Sequence, residues 1–170
     1  MAFSASGLYV HTVREMMEGT SVTGGPINPT GTGTGWKLAL HSNSLTQGTA
    51  PIDYDATDTT WANTNEVTGT GWAAGGVSLP TAAAGGTAAD PVLTIVTGSL
   101  KWDMDDIEVP STTLTGVRGC IIYFDAATAP ADLADAMFVA VTFGADFATS
   151  NGTFGIQWHA NGVAVIDLTP

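Results

Sequence analysis

The stretch "VRGCIIYF", residues 117–124, carries one cation and then an unbroken apolar run. A strand with one wet face alternates apolar and polar residues. A run without alternation is expected of a central strand covered on both faces. "MFVAVTFG" (137–144) reads the same way. Cys120 fits the first run as a small core residue, and as the single cysteine it has no internal disulfide partner.

Outward from this pair the chain reads as short strands. "GWKLALHS" (35–42) sets Trp36, Leu38 and Leu40 against Lys37, Ala39 and His41. "PVLTIVTGSLKW" (91–102) sets Val92, Thr94 and Val96 against Leu93, Ile95 and Thr97. "GTFGIQWH" (152–159) places Phe154, Ile156 and Trp158 on one face, and "GVAVIDL" (162–168) follows the "HANG" turn. The Asn161-Gly162 step there is a hairpin signal. Strands at this spacing predict an all-β fold, a β-sandwich or jelly-roll-like domain.

Before the strands, Ser6 is placed to cap a short helix. Tyr9, Val13, Met16 and Met17 recur at helical spacing and Gly19 is placed to end it. "TSVTGGPINPTGTGTG" (20–35) has the composition of an extended arm. The expected organisation is an N-terminal helix and flexible arm over 1–35 and a β-rich domain over 36–170. Such an arm is expected to dock on a partner, leaving the β-rich domain able to fold without it. "LPTAAAGGTAAD" (79–90) reads as a surface loop and "PADLADAM" (130–137) as a short helical turn opened by Pro130.

Of the 170 residues 44% are hydrophobic and only 12% charged, about half the usual charged share of roughly 25%. Gly, Thr, Ala and Ser fill the gap, which suits a surface covered by copies of the chain or by partners. The 16 acids against 4 bases, net −12, exclude nucleic-acid binding, which needs clustered cations. No signal-peptide pattern opens the chain, and no apolar run is long enough for a membrane helix, so synthesis and folding in a cytoplasm are expected.

"NTNEVTGTGWAAGGVSL" (63–79) tests three chemistries. A phosphate loop leaves a strand, opens a helix and brings a lysine or a distal acid. Here Gly69, Gly71 and Gly75 give GxGxxxG without that lysine, and "VSLP" follows. A packed structural loop fits better, with glycines allowing positive φ, Asn65 and Glu66 bonding turn amides, and Trp72 lying across the glycines. The third reading is a sugar platform built from Trp36, Trp61, Trp72, Trp102 and Trp158, although the alternation places Trp36 and Trp158 in a core.

The acids of "DYDATD" (Asp53, Asp55, Asp58) and "DMDDIE" (Asp103, Asp105, Asp106, Glu108) lack the EF-hand pattern and read as solvated edges, with a cation shared between subunits as the other reading. His11, His41 and His159 are isolated, without zinc-ligand spacing. No GxSxG elbow supports a hydrolase triad. "NGT" (151–153) matches a glycosylation sequon, irrelevant without secretion. No catalytic, cofactor-binding or metal-ligating residue is assigned.

The order "KLALHSNSL", "WANTNEVTGTGWAAGGVSL", "VRGCIIYFD", "FVAVTFGADFATSNGTFGIQW" and "VAVIDLTP" resembles a group of small virion proteins of tailed bacteriophages, described as capsid decoration or minor tail proteins. The likeness covers 36–170. Its main marks are Asn65-Glu66-Val67, Arg118-Gly119 and Phe143-Gly144, and the segments 80–90 and 125–137 depart from it as insertions. The resemblance implies a non-enzymatic β-rich virion part that binds major capsid or tail proteins. It also implies a homo-oligomer, a trimer by analogy, and hands over no site residues. A minor tail protein is the nearest alternative reading, and a carbohydrate-binding module the alternative from another class.

Overall fold

The computed structural model describes residues 3, 6–9, 12–13, 35–45, 65–79, 91–125 and 135–167. They form two antiparallel sheets. The strands are β1 (Gly7–Leu8), β2 (Trp36–His41), β3 (Val77–Ser78), β4 (Val92–Val96), β5 (Ser99–Asp103), β6 (Ile107–Phe124), β7 (Met137–Ile156) and β8 (Ala164–Asp167). One sheet has five strands in the order β1-β7-β6-β2-β3, and the other has three in the order β4-β5-β8. The chain is all-β in this sense.

The run at 119–124, after Arg118, is covered on both faces, as its lack of alternation requires. Cys120, Ile122 and Phe124 of β6 join Trp36, Leu38 and Leu40 of β2 in one core. Ile121, Tyr123 and Ala39 point into a second core with Phe3, Tyr9, Leu45 and Met137. The first core reaches the smaller sheet through Trp102, whose ring centroid lies 5.8 Å from Trp36 and 4.8 Å from Phe138.

The N-terminal expectation needs correcting where it is described. Gly7 and Leu8 are not helical; they pair with Ala140 and Val139 as the outermost strand of the large sheet. Among the described residues of this segment only Thr12 and Val13 are helical, and 10, 11 and 14–19 lie outside them. The reason is non-local: the edge of β7 offers backbone partners that helical periodicity cannot register. The Tyr9 amide donates to the Phe138 carbonyl at 2.8 Å, and the Thr12 hydroxyl donates to the Met137 carbonyl. Phe3 is buried over Gly119, where an added Cβ would stand 2.5 Å from the Phe3 ring and 2.3 Å from the Val141 carbonyl oxygen. The described part of 1–35 is therefore built into the β-rich domain. Phe3→Ala should cost about 2 kcal/mol, below a full core truncation because a chain end frays. Urea unfolding measures this, and an unchanged midpoint would restore the detachable arm.

Three connections also differ from the sequence reading. Residues 91–102 are two strands, because Thr97 (φ 45°) and Gly98 (φ 82°) make a two-residue turn between β4 and β5. Residues 137–144 and 152–156 belong to one long strand, whose pairing with β6 shifts register at several points. Gly144 and Asn151 take positive φ within that strand. The Asn161-Gly162 turn forms, with Gly162 at φ 85°. It does not fold β8 back on β7, however; it hands the chain to β5, the Val163 amide donating to the Trp102 carbonyl at 3.0 Å. The expected loop at 80–90 and most of the expected helical turn at 130–137 lie outside the described residues.

Candidate binding cleft

The glycine-rich loop is a scaffold. The Gly75 amide donates to Glu66 Oε1 at 2.8 Å, and Asn65 Nδ2 donates to the Ser44 carbonyl at 3.1 Å. Trp72 is fully buried, its ring edge-on to Phe154 at 5.7 Å. The Glu66 pKa is raised, because desolvation outweighs the opposing hydrogen bonds from the amides of Gly75 and Gly76. Gly71 has φ 76°, and a Cβ there would approach Thr112 Cγ2 at 3.1 Å. Gly71→Val should cost about 1–3 kcal/mol. Thermal unfolding decides this, and an unchanged midpoint would count against the packed loop.

The tryptophans do not form a common platform. Trp36, Trp72 and Trp102 are buried, and Trp61 lies outside the described residues. Trp158 alone among the described ones is partly open, its Nε1 donating to the Asp105 carbonyl at 3.1 Å.

The acids likewise do not converge. Asp103 accepts from Lys101 at 2.8 Å, and Asp106 accepts from the Trp158 amide at 2.8 Å. Asp105 and Glu108 are exposed, while Asp53, Asp55 and Asp58 lie outside the described residues. Among the described residues no group of three His, Cys, Asp or Glu side chains is placed to hold a metal ion. His41 is buried, His159 is exposed with Nδ1 accepting the Asn161 amide at 3.1 Å, and His11 is not described. Each described cation is already matched: Lys37 with Asp125 at 2.8 Å, Lys101 with Asp103 at 2.8 Å and Arg118 with Asp146 at 2.7 Å. No cationic patch is left among them to receive an anion.

What the fold builds instead is an apolar cleft of about 480 Å³. Val141, Phe143, Phe147, Phe154 and Ile156 of β7 form one wall, and Trp158 and Val163 around the 159–162 turn form the other. Phe143 stacks edge-on to Phe147 at 6.1 Å, and Phe147 remains 49% exposed. Among the described residues no carboxylate, amine, thiol or hydroxyl side chain lines it; Gln157, His159 and the Trp158 indole N–H are its polar side-chain groups. The arrangement suits capture of an apolar group, and among the described lining residues His159 is the one side chain able to act as nucleophile, acid or base, with no second such group beside it. Sequence reasoning missed this site. Val141, Phe143 and Phe147 share a face by strand periodicity, which was a usable signal, but the second wall comes from the turn leading to the other sheet.

Burial also fixes the alkaline limit of the fold. It pushes the Cys120 thiol well up. The Tyr123 phenol is raised first by desolvation, then by Asp125, Asp135 and Glu66. Both groups therefore have folded-state pKa values above their unfolded ones. The stability they give as neutral groups is fully present below the unfolded pKa and is lost as pH rises beyond it. Above about pH 8.5 the thiol should cost roughly tenfold in the folding constant per pH unit. Cys120→Ala should flatten the dependence between about pH 8.5 and 10, before tyrosine titrates. Urea midpoints across that range test it, and an identical slope in the variant would refute it.

Comparison with protein-family models, with curated proteins and with solved structures finds no match to this chain.

Proposed function

We propose that this chain is a non-enzymatic virion structural protein of a tailed bacteriophage, a capsid decoration protein that binds the head shell through apolar contact. In this reading the two sheets close over Trp102 as a β-sandwich, and the protein works in several copies. The cleft carries the proposal: it is open and mostly apolar, with His159 standing alone among the described residues as a group capable of acid–base chemistry, at the size of a ligand site. Its occupant would be an apolar segment of the shell protein.

The residues that carry the phage resemblance support this reading by what they do in the fold. Glu66 holds the glycine loop, Gly119 admits the Phe3 ring, and Phe143 lines the cleft. Marks of that kind suit a part whose work is to keep a shape and present a surface.

Phe147→Asp should weaken attachment to shells assembled without the protein by tenfold or more, while leaving the fold intact because the side chain is half exposed. Self-association of the wild type should hold or strengthen as salt rises, since 16 acids against 4 bases make identical surfaces repel and screening removes that repulsion over about 8 Å at physiological ionic strength. Full-strength attachment by the variant would sink the shell reading. Attachment to tails instead of heads in cryo-electron micrographs would favour the minor tail protein. Quenching of Trp158 fluorescence by sugars would favour the carbohydrate-binding module.

A further inference from the structure

The strand β4 is exposed along its whole length, with Val92 at 48%, Leu93 at 38%, Ile95 at 82% and Val96 at 47%. It is the edge of the smaller sheet, and among the described residues no strand pairs with its outer side. Edges of this kind are usually blunted by a lysine, a bulge or a proline. Here the pairing with β5 runs without a register shift, and Val92–Val96 contains no charge or proline. In a chain with 16 acids and 4 bases, a second copy is a poor partner over most of the surface, because like charges meet. This strand is an exception.

The order of its side chains says what fits it. Val92-Leu93-Thr94-Ile95-Val96 is nearly the same read in either direction. We propose that β4 pairs with β4 of a second copy, antiparallel about a two-fold axis at Thr94. The result is a continuous six-stranded sheet built from the three strands of each copy.

The backbone phase agrees with that axis. The two-residue turn at Thr97-Gly98 makes Val96 and Ser99 the first hydrogen-bonded pair of the hairpin, followed by Thr94 with Lys101 and Val92 with Asp103. The amides and carbonyls of Leu93 and Ile95 therefore face outward. A two-fold at Thr94 sets Leu93 of each copy opposite Ile95 of the other, and these are the residues whose backbone groups need partners. Each Val92 meets a Val96, and the two threonines meet as a close, non-hydrogen-bonded pair. Apolar groups are matched on both faces, with no charge brought against a charge. The pairing does not depend on the shell reading, which uses the cleft on β7, and it gives a dimer in place of the trimer that the phage resemblance implies.

A cysteine series on the full chain reads the register directly. In a non-hydrogen-bonded antiparallel pair the Cα atoms are about 4.5 Å apart, within the roughly 4.4–6.8 Å that a disulfide spans. Thr94→Cys should oxidise to a covalent dimer in near-complete yield. Val92→Cys and Val96→Cys have matched exposure, but each would lie about 13 Å from its own copy, so both should stay uncrosslinked. Buried Cys120 does not compete. By sedimentation the wild type should have the mass of two chains, and Ile95→Lys should halve it with the near-ultraviolet tryptophan signal kept. If Ile95→Lys loses that signal, the cysteine series decides alone. Equal cross-linking at all three positions, or a wild-type mass of one or three chains, would overturn the pairing.

Discussion

Gly76→Val should leave the protein largely unfolded at temperatures where the parent is stable. Gly76 has φ 73°, and a Cβ there would stand 1.9 Å from the Leu38 carbonyl oxygen, 2.5 Å from the Leu38 carbonyl carbon and 2.8 Å from the Ala39 Cα. All three are backbone atoms of β2, which is hydrogen-bonded to β6 on one side and to β3 on the other. No rotamer change relieves the contact. Either β2 moves and disturbs both cores, or the glycine loop lifts and exposes Trp72.

Positive φ alone costs about 1–3 kcal/mol for a side chain, and the backbone clash brings the total to about 4 kcal/mol or more. That is a large share of the usual 5–15 kcal/mol. Gly75 is the internal control. Its φ is 84°, but the nearest atom to its Cβ would be the Tyr123 hydroxyl at 3.6 Å. Gly75→Ala should cost only the conformational part, about 1–2 kcal/mol. Urea midpoints for the two variants separate strain from collision. Equal losses would mean that the close approach to β2 carries no energy.

Some of this architecture could be read before any coordinates. The two-faced cover of 119–124 was legible because the signal is local: alternate residues from Cys120 on enter different cores, so no charged residue interrupts the run after Arg118. The glycine loop was legible because each chemistry it might have served needs neighbours that its flanks lack. The elements that were not legible depend on partners far away in the chain. Tyr9 and Val13 keep helical spacing, yet Gly7 and Leu8 pair with a strand more than a hundred residues later. Thr97-Gly98 is a weaker turn signal than Asn161-Gly162, so one hairpin went unseen. At the stronger signal the turn formed while the pairing went elsewhere. A dipeptide specifies a turn; which strand waits beyond it is decided by cores such as the one around Trp102.

Trp102→Ala should be the most damaging truncation in the smaller sheet, because that side chain ties the sheet to the larger one. Trp102 is 2% exposed and lies between Leu93 and Ala164 on the neighbouring strands. Its ring is tilted 59° to Trp36 and meets Phe138 edge-on at 86°. Removal should cost about 3–5 kcal/mol, with aromatic pairing supplying about 0.5–1.5 kcal/mol beyond buried area. A double-mutant cycle of Trp102→Leu with Phe138→Leu isolates that second part. The loss should also be uneven. The exposed β4 adds little burial to hold the sheet down, so without Trp102 the β4-β5-β8 unit should open at lower energy than the β2-β6-β7 centre. Hydrogen exchange then predicts much faster exchange at the ladder amides of β5 in the variant, with those at 120–124 slowed or hastened only in step with global stability. If β5 and β6 lose protection equally, the two sheets open as one cooperative body and Trp102 is an ordinary core residue. If β5 keeps its protection, the smaller sheet is held by something other than this side chain.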